Sequence, residues 1–263
     1  MNNEAVIRLL MFTGVLGGLA MAEHLWPRRG RALGRVQRWP HNLALVGVGT
    51  LAVRLVAPAG VVTAALLAES RQWGLLRALD APPVIAWVVG VLALDLTVYA
   101  QHVAMHTLPW LWRLHRVHHA DPDVDVTTGV RFHPVELVLS LGFKAAVAVL
   151  VGVPAGAVVL FEILLNATSM FNHANLRLPA AADRLVRLLV VTPDMHRIHH
   201  SVNRREADSN YGFNVPWWDW LFATYRPTPL LPHESMPLGV GSLATADDQR
   251  LDRLLVQPLR RDQ

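Results

Sequence analysis

The sequence contains no cysteine. That absence excludes disulfide bonds, iron–sulfur clusters, thiolate metal sites and a cysteine nucleophile. Lysine is almost missing as well: Lys144 is the only one, and arginine supplies the rest of the positive charge. Charged residues make up 17% of the chain, against about 25% in an average soluble protein. There is no HExxH, so the zinc-peptidase arrangement, with a glutamate base between two ligands, is excluded. Internal repeats and low-complexity tracts are also absent. What is abundant is apolar surface, 52% of 263 residues with a mean hydropathy of +0.30. Histidine is abundant too, with 13 residues. A chain this apolar is neither disordered nor a coat for nucleic acid. Its Arg-rich, Ala-rich and Lys-poor usage suggests a bacterium with a GC-rich genome.

Four apolar runs organise the chain. A membrane span needs about 20 apolar residues, and residues 5–25 provide a first helix, interrupted by Arg8. The run is too long, and too poor in early Lys and Arg, for a cleaved signal peptide. Residues 42–68 form a second run, with Arg54 and Pro58 inside it, and Arg54 in mid-span is costly unless paired or snorkelling. Residues 82–101 form a third. Residues 135–172 form a fourth, long enough to cross twice. Gly152-Val153-Pro154 interrupts that run and predicts a helical hairpin of 135–151 and 154–172. Arg28, Arg29, Arg31, Arg35 and Arg38 cluster between the first two runs. Their apolar flanks favour a membrane-flanking basic loop over a nucleic-acid patch. The positive-inside rule then places this loop, and every histidine cluster, on the cytoplasmic face. From about residue 174 the chain is more polar and reads as a cap on that face. The expected fold is all-α: an integral membrane domain of about four or five transmembrane helices carrying a cytoplasmic, histidine-rich di-metal cap.

The histidines fall in order. Box one is His102-Val-Ala-Met-His106, box two is His115-Arg-Val-His118-His119, and box three is His196-Arg-Ile-His199-His200. On a helix, i, i+3 and i+4 share a face, so each box should converge its imidazoles. His133 and His173 lie between the boxes, whereas His24, His41 and His233 read as background. Eight crowded imidazoles without metal would have to stay mutually deprotonated or repel, and a metal takes neutral imidazole as donor. Eight to ten nitrogens exceed one ion's needs, so two metals are the simplest count. Imidazole suits Zn, Cu, Fe and Ni, and ligand type alone does not choose among them. Asp95, Glu136 and Asp194 are the favoured carboxylates for holding ligand imidazoles from behind, with Asp121, Asp125 and Asp208 also near. Trp110, Trp112, Trp217, Trp218 and Trp220 flank the boxes and read as membrane-interface residues.

With their surroundings, the boxes resemble the fatty acid hydroxylase/sterol desaturase superfamily of membrane-bound di-iron oxygenases, and within it the bacterial sterol-desaturase-like branch. The resemblance runs over about residues 84–227. It includes Asp95…Tyr99-Ala-Gln-His102, Leu111-Trp112-Arg113-Leu-His115-Arg-Val-His118-His119-Ala-Asp121, Arg131-Phe132-His133-Pro134-Val-Glu136 and Phe171-Asn172-His173-Ala-Asn175. It ends with Thr192-Pro193-Asp194-Met-His196-Arg-Ile-His199-His200-Ser201, Asp208-Ser209-Asn210-Tyr211-Gly212 and Trp218-Asp219…Thr224-Tyr225-Arg226. Box one reads His-Val where many relatives have His-Arg, and Ala223 stands where glycine is usual. The resemblance implies two irons, O2 as co-substrate, and a hydroxylated or desaturated lipid such as a sterol or fatty acid. The ligands it implies are His102, His106, His115, His118, His119, His133, His173, His196, His199 and His200. It also implies electrons from a separate donor: a ferredoxin, cytochrome or reductase. The corresponding organisation is N-terminal membrane helices at 1–80, a catalytic domain at 81–230 and a polar tail at 231–263. The corresponding location is a bacterial cytoplasmic membrane. The alternatives are a non-redox zinc protein or hydrolase and a non-catalytic scaffold, against which the complete boxes argue.

Overall fold

In a computed structural model of the protein, residues 3–260 are described, with side chains from Ala5 onward. The long helices are α1 (Asn3–Leu25), α2 (Arg35–Val56), α3 (Gly60–Ser70), the single turn α4 (Leu75–Ala78), α5 (Pro83–Thr107), α6 (Pro109–His119), α7 (Pro134–Val151) and α8 (Ala155–His173). Short helices follow in the cap: α9 (Ala180–Val186), α10 (Pro193–His199), α11 (Arg204–Ala207), α12 (Trp217–Leu221) and α13 (Leu251–Val256). Among the described residues there is no β-strand, only two isolated bridges. Among the described residues, five segments are long and apolar enough to cross a membrane: Ala5–Leu25, Arg35–Ala78, Pro83–Thr107, Pro134–Val151 and Ala155–His173. The all-α membrane architecture expected from the apolar runs is therefore present.

Local chemistry sets the boundaries. Proline occupies the first helical position of α5, α6, α7 and α10, where its missing N–H is not needed and its φ is already helical. The expected hairpin is α7 and α8. Gly152 closes α7 at φ 78, a left-handed cap that glycine adopts without strain. The 42–68 run is two helices instead of one. The chain breaks between Val56 and Gly60, at Pro58, and Gly60 turns it at φ 64. Arg54 stands exposed just before that break. Ala223 has φ 57. A Cβ costs about 1–2 kcal/mol in that conformation, which accounts for glycine being the usual residue there.

The apolar core is shared by α3, α5, α7 and α8: Val61 and Ala65, Leu94 and Val98, Ala148, and Val158 and Phe161 interlock. Large apolar side chains on the outer faces stay exposed, among them Ile7, Leu10, Leu55, Val84 and Leu150. Such outward-facing apolar belts suit lipid contact.

The arginine cluster differs from a free basic loop. Arg38 is fully buried and pairs with Asp121 at 2.8 Å and Asp125 at 2.5 Å. Arg31 and Arg35 pair with the buried Glu23, and Arg28 with Asp194. Carboxylates of α1 and of the cap take up four of these five charges, and Arg29 donates to the carbonyls of His233 and Met236, whereas sequence counting treats all five as solvent-facing. The 231–260 segment likewise packs into the cap: Leu254 against Leu45 and Val117, and Met236 and Leu238 against Val124. Arg116 donates to the carbonyls of Gln257 and Arg260 at 2.6 and 2.5 Å.

Candidate metal centre

Nine imidazoles, all buried, gather where α5, α6, α8 and α10 meet. They form two groups. His102, His106, His115, His119 and His199 offer nitrogens within 4.8 Å of one another, and so do His118, His173, His196 and His200. The grouping departs from the expectation that each HxxHH box converges on one point. In box two, His115 and His119 serve the first group and His118 the second; in box three, His196 and His200 serve the second and His199 the first. A helix turns about 100° per residue, so the paired His118-His119 and His199-His200 point apart and feed different groups. The rings of His119 and His200 stack at 4.4 Å where the groups meet.

The residues fit metal ions. Five of the nine rings have their Nδ1 held from outside: that of His102 donates to the Tyr211 carbonyl at 2.7 Å and that of His199 to the Ser209 carbonyl at 2.8 Å. The Nδ1 of His173 donates to the Ser169 carbonyl at 2.6 Å and that of His118 to Arg131 at 3.3 Å. The Nδ1 of His115 donates to Glu136 Oε1 at 2.8 Å. This pattern selects the tautomer whose Nε2 lone pair is free. The Nε2 atoms of His102, His115 and His199 are buried and have no hydrogen-bond partner. Other Nε2 atoms face each other: His118 and His173 at 2.9 Å, His173 and His196 at 3.2 Å, His106 and His119 at 3.1 Å. Around an ion with nitrogen ligands at about 2.0–2.1 Å, neighbouring nitrogens sit ~2.8–3.4 Å apart for angles from about 90° to tetrahedral, a range that holds these separations.

Electrostatics favours the donor form. Burial first, and then the neighbouring histidines, hold His118, His119, His196 and His200 well below the ordinary imidazole value. Burial pushes His199 down to about 3 against the opposing carbonyl of Ser209. All five are therefore neutral at pH 7. Without metal they destabilise the fold as pH falls below about 6.5, since the unfolded chain accepts protons that the buried rings refuse.

The sequence-expected residues divide. Eight box histidines and His173 are brought together; His133 is not. Its Nδ1 accepts from Val135 N at 3.2 Å, capping α7, and its Nε2 donates to the Leu255 carbonyl at 3.2 Å. With both nitrogens engaged on backbone, His133 lies outside both groups. Glu136 stands behind His115 as expected. Asp95 does not stand behind His102: its Oδ2 accepts from Trp218 Nε1 at 2.8 Å, while His102 uses a carbonyl. Asp194 touches no box imidazole. It pairs with Arg28 at 3.1 Å, with Arg197, and with His233 at 3.8 Å, fastening α10 to the arginine segment. Burial alone would raise the Asp194 carboxyl, yet Arg197, His233 and Arg28 hold it below its usual value. Asp208, near the boxes but not among the favoured carboxylates, has its Oδ1 3.4 Å from His106 Nδ1. The carbonyl partners carry no side-chain signal at all. Gly129 does carry one: a Cβ there would meet Ser169 O at 2.4 Å. Its bareness lets Ser169 approach, donate to the Gly129 carbonyl at 2.6 Å and present its own carbonyl to His173.

Glu136→Gln is expected to lower metal affinity about 10–100-fold, the usual loss when the group behind a ligand imidazole is weakened. Metal retention against a competing chelator measures it, and unchanged retention would remove Glu136 from the site.

A cavity of about 460 Å³ opens beneath the first group, with His102, His115 and Glu136 at one end and Val98, Met105, Phe132 and Phe213 among its walls. Buried nitrogen donors in two adjoining groups, set at the head of an apolar-walled cavity within membrane-length helices, define a class of membrane metalloprotein. The profile of the fatty acid hydroxylase family matches residues 87–224, just over half of the chain, and the chain belongs to that family. It is 27% identical over 142 residues to the ornithine lipid hydroxylase OlsE of Rhizobium tropici, covering 54% of this chain and 42% of the relative. It is 26% identical over 145 residues to human alkylglycerol monooxygenase, covering 53% and 30%. It is 33% identical over 138 residues to a cholesterol 25-hydroxylase-like protein of Danio rerio, covering 51% and 53%. The chain thus spans about half or less of the length of these relatives. No solved structure matches.

Proposed function

We propose that the protein is a membrane-bound di-iron oxygenase that hydroxylates a lipid, using O2 and electrons from a separate donor protein. The observation that carries this reading is the pair of buried all-nitrogen groups at the head of the cavity. Family membership supports it, and the relatives above are named for hydroxylating or mono-oxygenating lipids. Iron bound by His102, His106, His115, His119 and His199, and by His118, His173, His196 and His200, would supply O2 activation and oxidation of an unactivated C–H bond. Each turnover places one oxygen atom in the substrate and releases the other as water, consuming a pair of protons and a pair of electrons from the donor.

The chain's own residues do the rest. Phe132, Phe213, Val98 and Met105 keep water from the cavity beside His102 and His115. Glu136 and the carbonyls of Tyr211, Ser209, Ser169 and Arg131 fix the ring orientations. Residues 81–230 form the catalytic domain in this reading. The N-terminal helices contribute Phe12, Val46, Thr50 and Val53 to the cavity wall and so take part in substrate choice. The histidine face is proposed to face the cytoplasm of a bacterium, where a ferredoxin, cytochrome or reductase can reach it.

The test is elemental analysis of detergent-purified protein together with O2-dependent product formation. About two iron ions per chain and product only in air are expected. Stoichiometric zinc with undiminished turnover under anoxia would establish a non-redox zinc protein instead.

A further inference from the structure

The end of the cavity remote from the histidines is charged. Arg8 of α1, Lys144 of α7 and Glu162 of α8 line it together. Arg8 Nη2 and Glu162 Oε2 pair at 2.7 Å, tying α1 to α8. Lys144, the chain's only lysine, faces both of them electrostatically, yet none of its contacts among the described residues is a hydrogen bond or an ion pair within 4.0 Å. Glu162 is taken up by Arg8, and Lys144 stands beside that pair. An ammonium within a membrane-length helix is costly without a counter-charge. The Arg8–Glu162 pair is explained by helix packing, and Lys144 is not.

Lys144 lies on the same face of α7 as Glu136: residues 136, 137, 140, 141 and 144 all border the cavity. Eight residues of helix place Lys144 about 12 Å along the axis from Glu136. The cavity therefore has a metal end and a cationic end, joined by apolar wall. Its volume of about 460 Å³ lies toward the lower part of the ligand-pocket range, about 300–1,000 Å³.

We propose that this cavity takes a single-chain amphiphile ending in an oxyanion, a carboxylate or a phosphate, whose charged terminus binds Lys144 beside the Arg8–Glu162 pair while its chain runs up to the histidine groups. The proposal deepens, and rests on, the reading of the cavity as a lipid oxygenase's substrate site. An extended chain advances about 3.3–3.6 Å per three bonds, so 12 Å corresponds to roughly ten bonds. The oxidised carbon then lies well along the chain, away from the headgroup.

Binding without turnover tests this separately from the oxygenase reading. The full chain, in phosphatidylcholine nanodiscs under anoxia and without reductant, is titrated with radiolabelled hexadecanoic acid, hexadecyl phosphate, hexadecan-1-ol and cholesterol. A charge-assisted contact predicts that at least one oxyanion probe binds about tenfold or more tightly than hexadecan-1-ol. Whichever oxyanion binds more tightly identifies the terminus. Lys144→Met and Lys144→Gln are expected to erase that preference with the alcohol's affinity unchanged, and Lys144→Arg to restore it. Equal binding of acid, phosphate and alcohol to the unaltered protein overturns the proposal with no variant needed. So does a preference that persists in a folded Lys144→Met, or tighter binding of cholesterol than of either oxyanion. Iron content and product formation do not enter this measurement, so the oxygenase reading can fail while the oxyanion preference stands, and the reverse.

Discussion

His118→Ala and His199→Ala are each expected to abolish product formation and to lower the metal content of the purified protein. His199 belongs to the first nitrogen group and His118 to the second, so each variant empties one position in one group. The remaining rings cannot swing in to compensate. Those of His102 and His173 are pinned by the carbonyls of Tyr211 and Ser169 at 2.7 and 2.6 Å, and that of His115 by Glu136. The fold should survive, because a neutral imidazole is lost and no charge is left stranded. The cost is one carbonyl without its donor, about 1–3 kcal/mol. Elemental analysis, mass spectrometry of the lipid product and thermal melting read the three effects together. Product at the unaltered rate with full metal content would show that these rings are not ligands. His133→Ala is the internal contrast. It should keep its metal and lose the cap of α7 and the contact to the Leu255 carbonyl, about 1–3 kcal/mol together, because both of its nitrogens serve backbone.

Arg38→Ala should be among the largest losses of stability available in this protein, about 3–5 kcal/mol. Arg38 is fully buried and bonds both oxygens of Asp121, at 2.8 and 2.9 Å, and Asp125 at 2.5 Å. Removing it strands two buried carboxylates beside one remaining guanidinium, Arg131, 3.5 Å from Asp121. Arg38→Lys should rescue little, since an ammonium cannot reproduce the forked contact. The pH dependence carries a sign. Burial alone would raise the Asp121 carboxyl, but Arg38 and Arg131 overcome it and hold Asp121 below its ordinary value. A depressed carboxylate contributes stability that is fully present above the unfolded value of about 3.9 and is lost as pH falls through the folded value. The gap in melting temperature between the unaltered protein and Arg38→Ala should therefore be wide at pH 7 and narrow below about pH 4. A constant gap would show that the pair contributes through packing alone. Because Asp121 lies two residues after His119, and Arg131 supplies the carbonyl behind His118, the variant should also bind metal less tightly.

The two predictions lie on opposite sides of what could be read in advance. The ligand set was nearly legible, because HxxxH and HxxHH are statements about helix geometry at short range. His173 and His133, which lie in no box, stand out in the sequence as histidines between the boxes but are assigned as ligands only through the family resemblance, and the structure places His133 elsewhere. Arg38 was legible only as one of five clustered arginines. Nothing local shows that its partners are Asp121 and Asp125, more than 80 residues away. The same holds for the carboxylates around the site. Asp95 is well spaced to reach His102, yet Trp218 from the far end of the cap takes its oxygen. Asp208 is well placed only because α11 folds back over α5, where Arg204 donates to the carbonyl of His106 at 2.8 Å.

By itself the sequence determined the apolar helices, the α7–α8 hairpin, the absence of thiolate chemistry and the convergence of histidines at one end of the molecule. Each of these follows from composition or from periodicities of a few residues. The tertiary structure decided which imidazole joins which group, what holds each ring from behind, and that a solitary lysine shares a cavity with them. Those outcomes depend on carbonyls, glycine approaches and helix rotations contributed by segments distant in the chain. The paired His118-His119 and His199-His200 show the division well. Sequence places two donors side by side, and the turn of the helix, seen only against its neighbours, sends them to different groups.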